Sequence, residues 1–352
     1  MDLKKIAQLD WIKRWNEPFS FLGDSYFGEQ YIQAPKRDFG IGFTHLLFVY
    51  SEGRTLCYRL VSDTGKIGER LVEIFIQDPQ AAEKWSEELI KKTDEVSEML
   101  KRPLVWFMEP KHYAAFENLM FDYLPIFIRI NIVPDYLPAQ EVEKALPYLT
   151  KARLYSEHTY HAIDKLLGKI TGRIEQVEGY RTGLLHNLLK EELRHYLKEK
   201  KLPSQEEMED RYCLSGLYVN AEGQVKFSGD EITELQKLIA DKQRPTENVF
   251  KGVIACSGRA TGTARLIENP SKAEAFNDGD ILVTSMTNPD FIPFMKRAGA
   301  IITEGGGVLS HAAITSRELK KPCIMNVAGI MLVLKDGDLV EVNAELGTLT
   351  IL

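Results

Sequence analysis

Little in this sequence could cross a bilayer, staple a chain or grip a polyanion. Of 352 residues only four are cysteine, and Cys57, Cys213, Cys256 and Cys323 form no C-x-x-C pair. That scatter argues against a zinc site or a disulfide framework and fits a reducing compartment. No apolar run approaches the roughly 20 residues of a membrane-spanning helix. The opening stretch MDLKKIAQLDWIKRW has no apolar core of the signal-peptide kind, so the expected location is the cytoplasm. Basic residues are outnumbered, 44 Lys and Arg against 51 Asp and Glu, for a net charge of −7. Neither a nucleic acid nor an anionic membrane is an expected partner of such a chain. There is no repeat, no low-complexity tract and no G-x-x-x-x-G-K-[ST] phosphate loop. What remains is ordinary globular composition, 44% apolar and 27% charged. The length allows two or three domains.

One stretch stands out, residues 303–325, TEGGGVLSHAAITSRELKKPCIM. An apolar run ends at Thr303, and Gly305, Gly306 and Gly307 follow. His311 then begins a helical pattern through Ala312, Ala313, Ile314 and Leu319, with Arg317–Glu318 and Lys320–Lys321 on the solvated side. Pro322 stops it. The order is strand, glycine loop, helix opening with a histidine. Glycine lets a backbone approach a bound group closely. Successive backbone N–H groups in such a loop form a concavity for anions. A helix N-terminus adds unpaired donors and partial positive charge. That environment disfavours the imidazolium form and so favours the neutral, nucleophilic ring. Ser310 can cap the helix or donate to phosphate.

These residues resemble the phosphohistidine, or swivelling, domain of the phosphoenolpyruvate-utilising enzymes. The family includes phosphoenolpyruvate synthase, pyruvate phosphate dikinase, the first enzyme of the sugar phosphotransferase system and rifampicin phosphotransferase. The residues that carry the pattern are Thr303, Gly306, Gly307, Ser310, His311, Ala312, Ala313, Ile314, Ser316, Arg317, Glu318 and Pro322; Gly305 is an additional glycine that shifts the loop register by one in one reading. Upstream, KGVIACSGRATGTARLI with Ser257, Gly258 and Gly262 is similar to the family's entry strand. ILVTSMTNPDFIPFMKRAGAIIT is similar to the segment after it, through Thr284, Thr287, Pro289, Asp290 and Ala298. DGDLVEVNAELGTLTIL looks like its closing strands. The resemblance spans about the last 100 residues. It implies His311 as phosphoacceptor and Gly305, Gly306, Gly307, Ser310, Thr303 and Arg317 around the phosphate. It also implies a three-layer β/β/α domain over residues 246–352, with helices after His311 and near residues 289–297.

Before that domain the sequence reads as an α+β region, residues 1–150, and a helical region with linker, residues 151–245. Trp11, Trp15, Phe19, Phe21, Tyr26, Phe27 and Tyr31 crowd the start. They read as a core wrapped by a short helix and loop, or as an aromatic pocket for an organic acceptor. Residues 43–61 read as a hairpin turning at Glu52-Gly53. Residues 78–100 read as an amphipathic helix capped by Asp78, with Pro79 in its first turn. The proline-punctuated stretch 123–138 reads as a buried connection rather than a long helix. Residues 141–202 are helical in pattern. There, His158 and His161, and again Glu192 and His195, stand three apart without a convincing third ligand, so no metal site is expected. Residues 202–242 resemble the segment that precedes the swivelling domain in phosphoenolpyruvate synthase-like and rifampicin phosphotransferase-like proteins, which implies a short apolar strand at 212–214 and then an acidic-led helix. The polar segment 241–248, DKQRPTEN, reads as a hinge for a mobile carrier.

The family's ATP-grasp domain and phosphoenolpyruvate barrel are not recognisable in this chain. By the resemblance, ATP and magnesium are therefore expected on a separate ATP-grasp-type partner, with no cofactor held by this chain alone. The first reading is one component of a split phosphotransferase, inactive without that partner, with a small-molecule acceptor. The second is a regulatory phosphohistidine module without an acceptor. A degenerate relative is the third, and the intact glycine loop argues against it.

Overall fold

The computed structural model describes residues 2–51, 53–243, 248–273 and 275–352. The chain forms two compact units, one of Met1–Glu17 with Glu234–Leu352 and one of Pro18–Thr233. In the first, strand β1 (Trp11–Glu17) opens on buried Trp11, whose indole N–H donates to the Ile6 carbonyl at 2.8 Å. Among the described residues no helix is long and apolar enough to cross a membrane.

The unit Pro18–Thr233 joins a small antiparallel sheet to a set of helices. The hairpin read from residues 43–61 is present as β2 (His45–Ser51) and β3 (Arg54–Leu60), closing at the Ser51–Arg54 pair. Glu52 of its turn lies outside the described residues; Gly53 has φ +83°, which favours glycine. β4 (Ser215–Asn220) pairs antiparallel with β2, and β5 (Gly223–Phe227) with β4. The strand expected at 212–214 is instead the end of a helix, Gln205–Cys213. Ser204 caps that helix through Glu207 N–H at 3.2 Å, and Arg211 on it grips Glu192 with both terminal nitrogens. Extended structure begins at Ser215, where β2 offers a partner.

The helices include Phe21–Phe39, capped by Ser20 and closed by left-handed Gly40. The helix read from 78–100 runs Ala81–Leu100, with Asp78 capping the turn before it through Gln80 N–H at 2.9 Å. The stretch from Tyr123 overturns the reading as a connection, since one helix, Pro110–Ile132, runs straight through Pro125. An interior proline costs a helix about 3 kcal/mol. Tyr123, Leu124, Ile126, Ile128, Ile130 and Ile132 are all buried, and their packing offsets that cost. The crowded aromatics go into cores: Phe19, Phe21, Tyr26, Phe27 and Tyr31 are buried, and Phe19 and Phe27 meet edge to face. His158 precedes the helix Thr159–Glu178, and His161 stacks on Phe19. His195 faces Glu199 at 3.4 Å, while Glu192 is taken by Arg211.

In the other unit, residues 244–247 of the segment read as a hinge lie outside the described residues; the helix Gly229–Gln243 runs up to them. Eight strands then form one mixed sheet. They are β6 (Val249–Lys251), β7 (Val253–Cys256), β8 (Arg259–Leu266), β9 (Ile281–Thr284), β10 (Ala300–Thr303), β11 (Cys323–Met325), β12 (Leu339–Asn343) and β13 (Thr348–Ile351). Their order is β6-β13-β12-β8-β9-β10-β11-β7, with β8 to β11 mutually parallel. The central strands are buried on both faces, as parallel strands usually are. Alternation along them makes two cores. Ile281, Val283, Ala300, Ile302 and Ile324 face Val340, Val342 and Leu349. Leu282, Ile301, Cys323 and Met325 face Met295 of the helix Ile292–Arg297 and Ala313 of the helix His311–Leu319.

One buried carboxyl makes the unit Pro18–Thr233 sensitive to pH. Asp24 accepts from Thr55 Oγ1 at 2.6 Å, and its other oxygen is buried with no hydrogen-bond partner. Burial raises this carboxyl well above its usual range; Thr55 opposes the shift and Asp164 adds to it. The unfolded chain ionises Asp24 from about pH 4, while the folded chain keeps its proton to higher pH. Stability contributed by this group is thus complete below pH 4 and is lost as pH rises toward the folded value, by at most about 1.4 kcal/mol per unit. Asp24→Asn should flatten that decline in urea unfolding between pH 4 and 8. An unchanged slope would contradict the assignment.

Candidate functional site

The carboxyl ends of parallel strands are where two adjoining loops can converge on one point. Here those strands are β9 and β10, paired from Ala300–Ile281 to Thr303–Thr284. The ladder continues past both ends: Glu304 N–H donates to Thr284 O at 3.1 Å and Gly305 N–H to Ser285 O at 3.0 Å. The first turns of both loops are therefore fixed to each other. One loop carries Thr287 and the other leads to His311.

Thr303 is fully buried, and its hydroxyl donates to the Gly305 carbonyl at 2.5 Å, bracing the loop from below. Gly305 has no room for a side chain, because a Cβ there would stand 2.8 Å from the carbonyl oxygen of Lys13 in β1. That contact accounts physically for the additional glycine. Gly306 has φ +126°, and a Cβ on it would press to 3.1 Å from Ser310 Oγ. Gly307 accepts from Ser310 N–H at 2.8 Å, closing the turn that launches the helix. Ser310 is the N-cap; its hydroxyl accepts from Ala313 N–H at 3.3 Å and lies 3.3 Å from Met325 Sδ. Arg317 reaches back along the helix, and its guanidinium donates to the Val308 carbonyl of the loop. Partial burial lowers its pKa.

His311 is half-buried at the first helical position. Its Nδ1 lies 2.9 Å from Thr287 Oγ1, and its Nε2 lies 3.4 Å from Thr315 Oγ1. Thr287 is itself buried, so the ring is held from the strand side. With Thr287 accepting from Nδ1–H, the nucleophilic lone pair falls on Nε2. Sequence reasoning singled out Thr287 only as part of a matching segment and did not find Thr315. Thr315 was discoverable, since four residues along a helix returns to the same face. Glu304 was also missed. It is buried, accepts from Met331 N–H at 3.0 Å, and pairs with Lys13 of β1 at 2.9 Å. Both contacts hold the residue that begins the loop.

Residues 276–347 match the family model described as PEP-utilising enzyme, mobile domain. The probable phosphoenolpyruvate synthase of Archaeoglobus fulgidus is 46% identical over 99 residues, 28% of this chain and 13% of that protein. Phosphoenolpyruvate synthase of Pyrococcus furiosus is 44% identical over 108 residues, 31% of this chain and 13% of that protein. The uncharacterized phosphotransferase YvkC of Bacillus subtilis is 36% identical over 118 residues, 34% of this chain and 14% of that protein. The matches thus take in a small part of each relative and about a third of this chain.

The loop geometry makes its own prediction. Gly306→Ala should destabilise the C-terminal unit by about 1–3 kcal/mol, the usual size of strain at such a backbone angle. Denaturant unfolding would measure it. A variant as stable as the parent would show that the loop tolerates a side chain at this φ.

The C-terminal region carries a mobile domain of the phosphoenolpyruvate-utilising enzymes, related to that of phosphoenolpyruvate synthase.

Proposed function

We propose that this chain carries a phosphoryl group on His311 Nε2, received from a separate nucleotide-binding partner and passed on to an acceptor. The observation behind this reading is the seating of His311. It opens a helix at the carboxyl ends of parallel strands, behind a glycine loop, with Nδ1 held by Thr287 at 2.9 Å. In the transfer, the Nε2 lone pair attacks phosphorus in line. The P–N bond forms as the P–O bond to the leaving group breaks, and the leaving oxygen departs with the bonding pair. Nδ1 keeps its proton throughout, and Thr287 Oγ1 accepts from it as the ring gains positive charge. The helix N-terminus favours the added negative charge of the phosphoryl group. Thr303, Ser310 and Arg317 serve by bracing the loop: their polar atoms hold Gly305, the cap and Val308.

Phosphoryl transfer is chiefly positioning and charge neutralisation, and the donor side of that work needs metal and cations. By the resemblance, ATP and magnesium are assigned in this proposal to the partner, and no step is routed through either here. The isolated chain should consume neither ATP nor phosphoenolpyruvate. Steady consumption by the purified chain, lost on His311→Ala, would place a donor site on this chain instead.

The acceptor role is testable without the partner, using phosphoramidate as a small phosphoryl donor. Among the seven histidines, His311 should be labelled first, at Nε2. The label should be acid-labile, since it is a P–N bond. Thr287→Val should slow labelling roughly tenfold, the worth of one hydrogen bond. Label that is acid-stable, or that survives His311→Ala, would sink the reading.

A further inference from the structure

The four cysteines looked unrelated in sequence, yet the fold sets two of them opposite each other. β11 pairs antiparallel with β7 so that Cys323 faces Cys256, and the register shifts immediately after that pair. Directly opposed residues in antiparallel strands have Cα atoms about 4.5–5.5 Å apart. A disulfide spans roughly 4.4–6.8 Å between Cα atoms. Cys323 is buried in the core under the helix His311–Leu319, and Cys256 packs against that same core while remaining partly open to solvent. Both side chains therefore lie on one face of the sheet, the face that carries the histidine helix. Both are free thiols.

We propose that Cys256 and Cys323 form a reversible cross-strand disulfide that transmits thiol redox state to the histidine helix. The oxidant is a low-molecular-weight disulfide, of which oxidised glutathione is the example. The Cys256 thiolate attacks one glutathione sulfur, giving a mixed disulfide and releasing one glutathione thiolate. The Cys323 thiolate then attacks the Cys256 sulfur and releases the second. Two cysteines are oxidised, one glutathione disulfide is reduced to two thiols, and the two cysteine protons pass to the released thiolates. The order follows from access: Cys256 is reachable from solvent and Cys323 is not. Burial pushes the Cys323 thiol up to about 12, so the second step is the slow one.

The link to the helix runs through shared packing. Cys323 shares one buried core with Ala313 of that helix, Cys256 packs against the same core, and Ser316 on the helix donates to the Ala313 carbonyl at 3.1 Å. Arg317 is the residue that holds Val308 of the glycine loop. Joining the sulfurs ties Cys323 to β7 and so repacks the core on which Ala313 and its helix rest.

The test uses the full chain with oxidised glutathione, followed by mass spectrometry of peptides under non-reducing conditions. A linked 256–323 peptide should appear, lighter by two hydrogens than the separate thiol peptides, and reduction should remove it. Formation from the mixed disulfide should accelerate about tenfold per pH unit between pH 7 and 9, following the thiolate fraction of Cys323. Cys256→Ser, a change at a partly exposed position, should abolish the link, while Cys323→Ser should leave glutathione standing on Cys256. The NMR resonances of the His311 ring should move on oxidation and return on reduction. Stable glutathionylation of Cys256 in the parent chain, or a bridge to Cys57 or Cys213, would overturn the pairing. A formed disulfide with unmoved His311 resonances would overturn the coupling. None of these readouts requires phosphoryl transfer, so they fail or succeed separately from the proposed function.

Discussion

Everything at the histidine depends on the parallel pairing of β9 with β10. Backbone hydrogen bonds continue that pairing beyond both strands, to Glu304 and Gly305. Two successive loops, whose Thr287 and His311 are 24 residues apart, thereby leave the sheet at a fixed separation. Thr287 comes from one and His311 from the other, and they meet at 2.9 Å. A one-residue slip would exchange the faces of β10. Ile302 and Ile301 would trade cores, and the histidine would leave its partner. The pairing is held because each face is buried against a different apolar set.

Around that frame the loop is braced by its own polar side chains. Thr303 holds Gly305, Ser310 holds the first helical turn, and Arg317 holds Val308. Rigid bracing suits a transfer in which donor and acceptor atoms need alignment more than chemical assistance. In the proposed transfer the reacting ring nitrogen is selected in the same manner, by what the other nitrogen is bonded to. The floor of the same helix holds Cys323, which shares a core with Ala313, and Cys256, which packs against it.

The unit Pro18–Thr233 shows a different balance. Its aromatic side chains fill cores, and its charged groups are largely paired, as with Arg211 between Glu192 and Glu207. Asp24, buried, and Asp164, half-buried, are carboxyls that desolvation moves toward the neutral form. They are held through Thr55 and Ser20, both buried hydroxyl donors.

What the sequence determined by itself was local. Three glycines, a serine cap and a histidine before an amphipathic run specify a loop and a helix start wherever they occur, because caps and glycine angles are short-range. The hairpin 45–60 and the helix to Leu100 were legible for the same reason. Pro125 misled because propensity says helix stop, and only packing of the surrounding isoleucines and tyrosines reverses that. The stretch before Ser215 misled because a short apolar run becomes a strand only if another strand is beside it, and β2 lies some 170 residues away, as the Tyr50–Ser215 pair shows. Tertiary structure alone decided that Thr287 touches His311, that Lys13 lies over Gly305, and that Cys256 faces Cys323. Each of those contacts is set by strand register or by the clustering of Met1–Glu17 with the C-terminal unit, and these are long-range pairings that no local window of sequence contains.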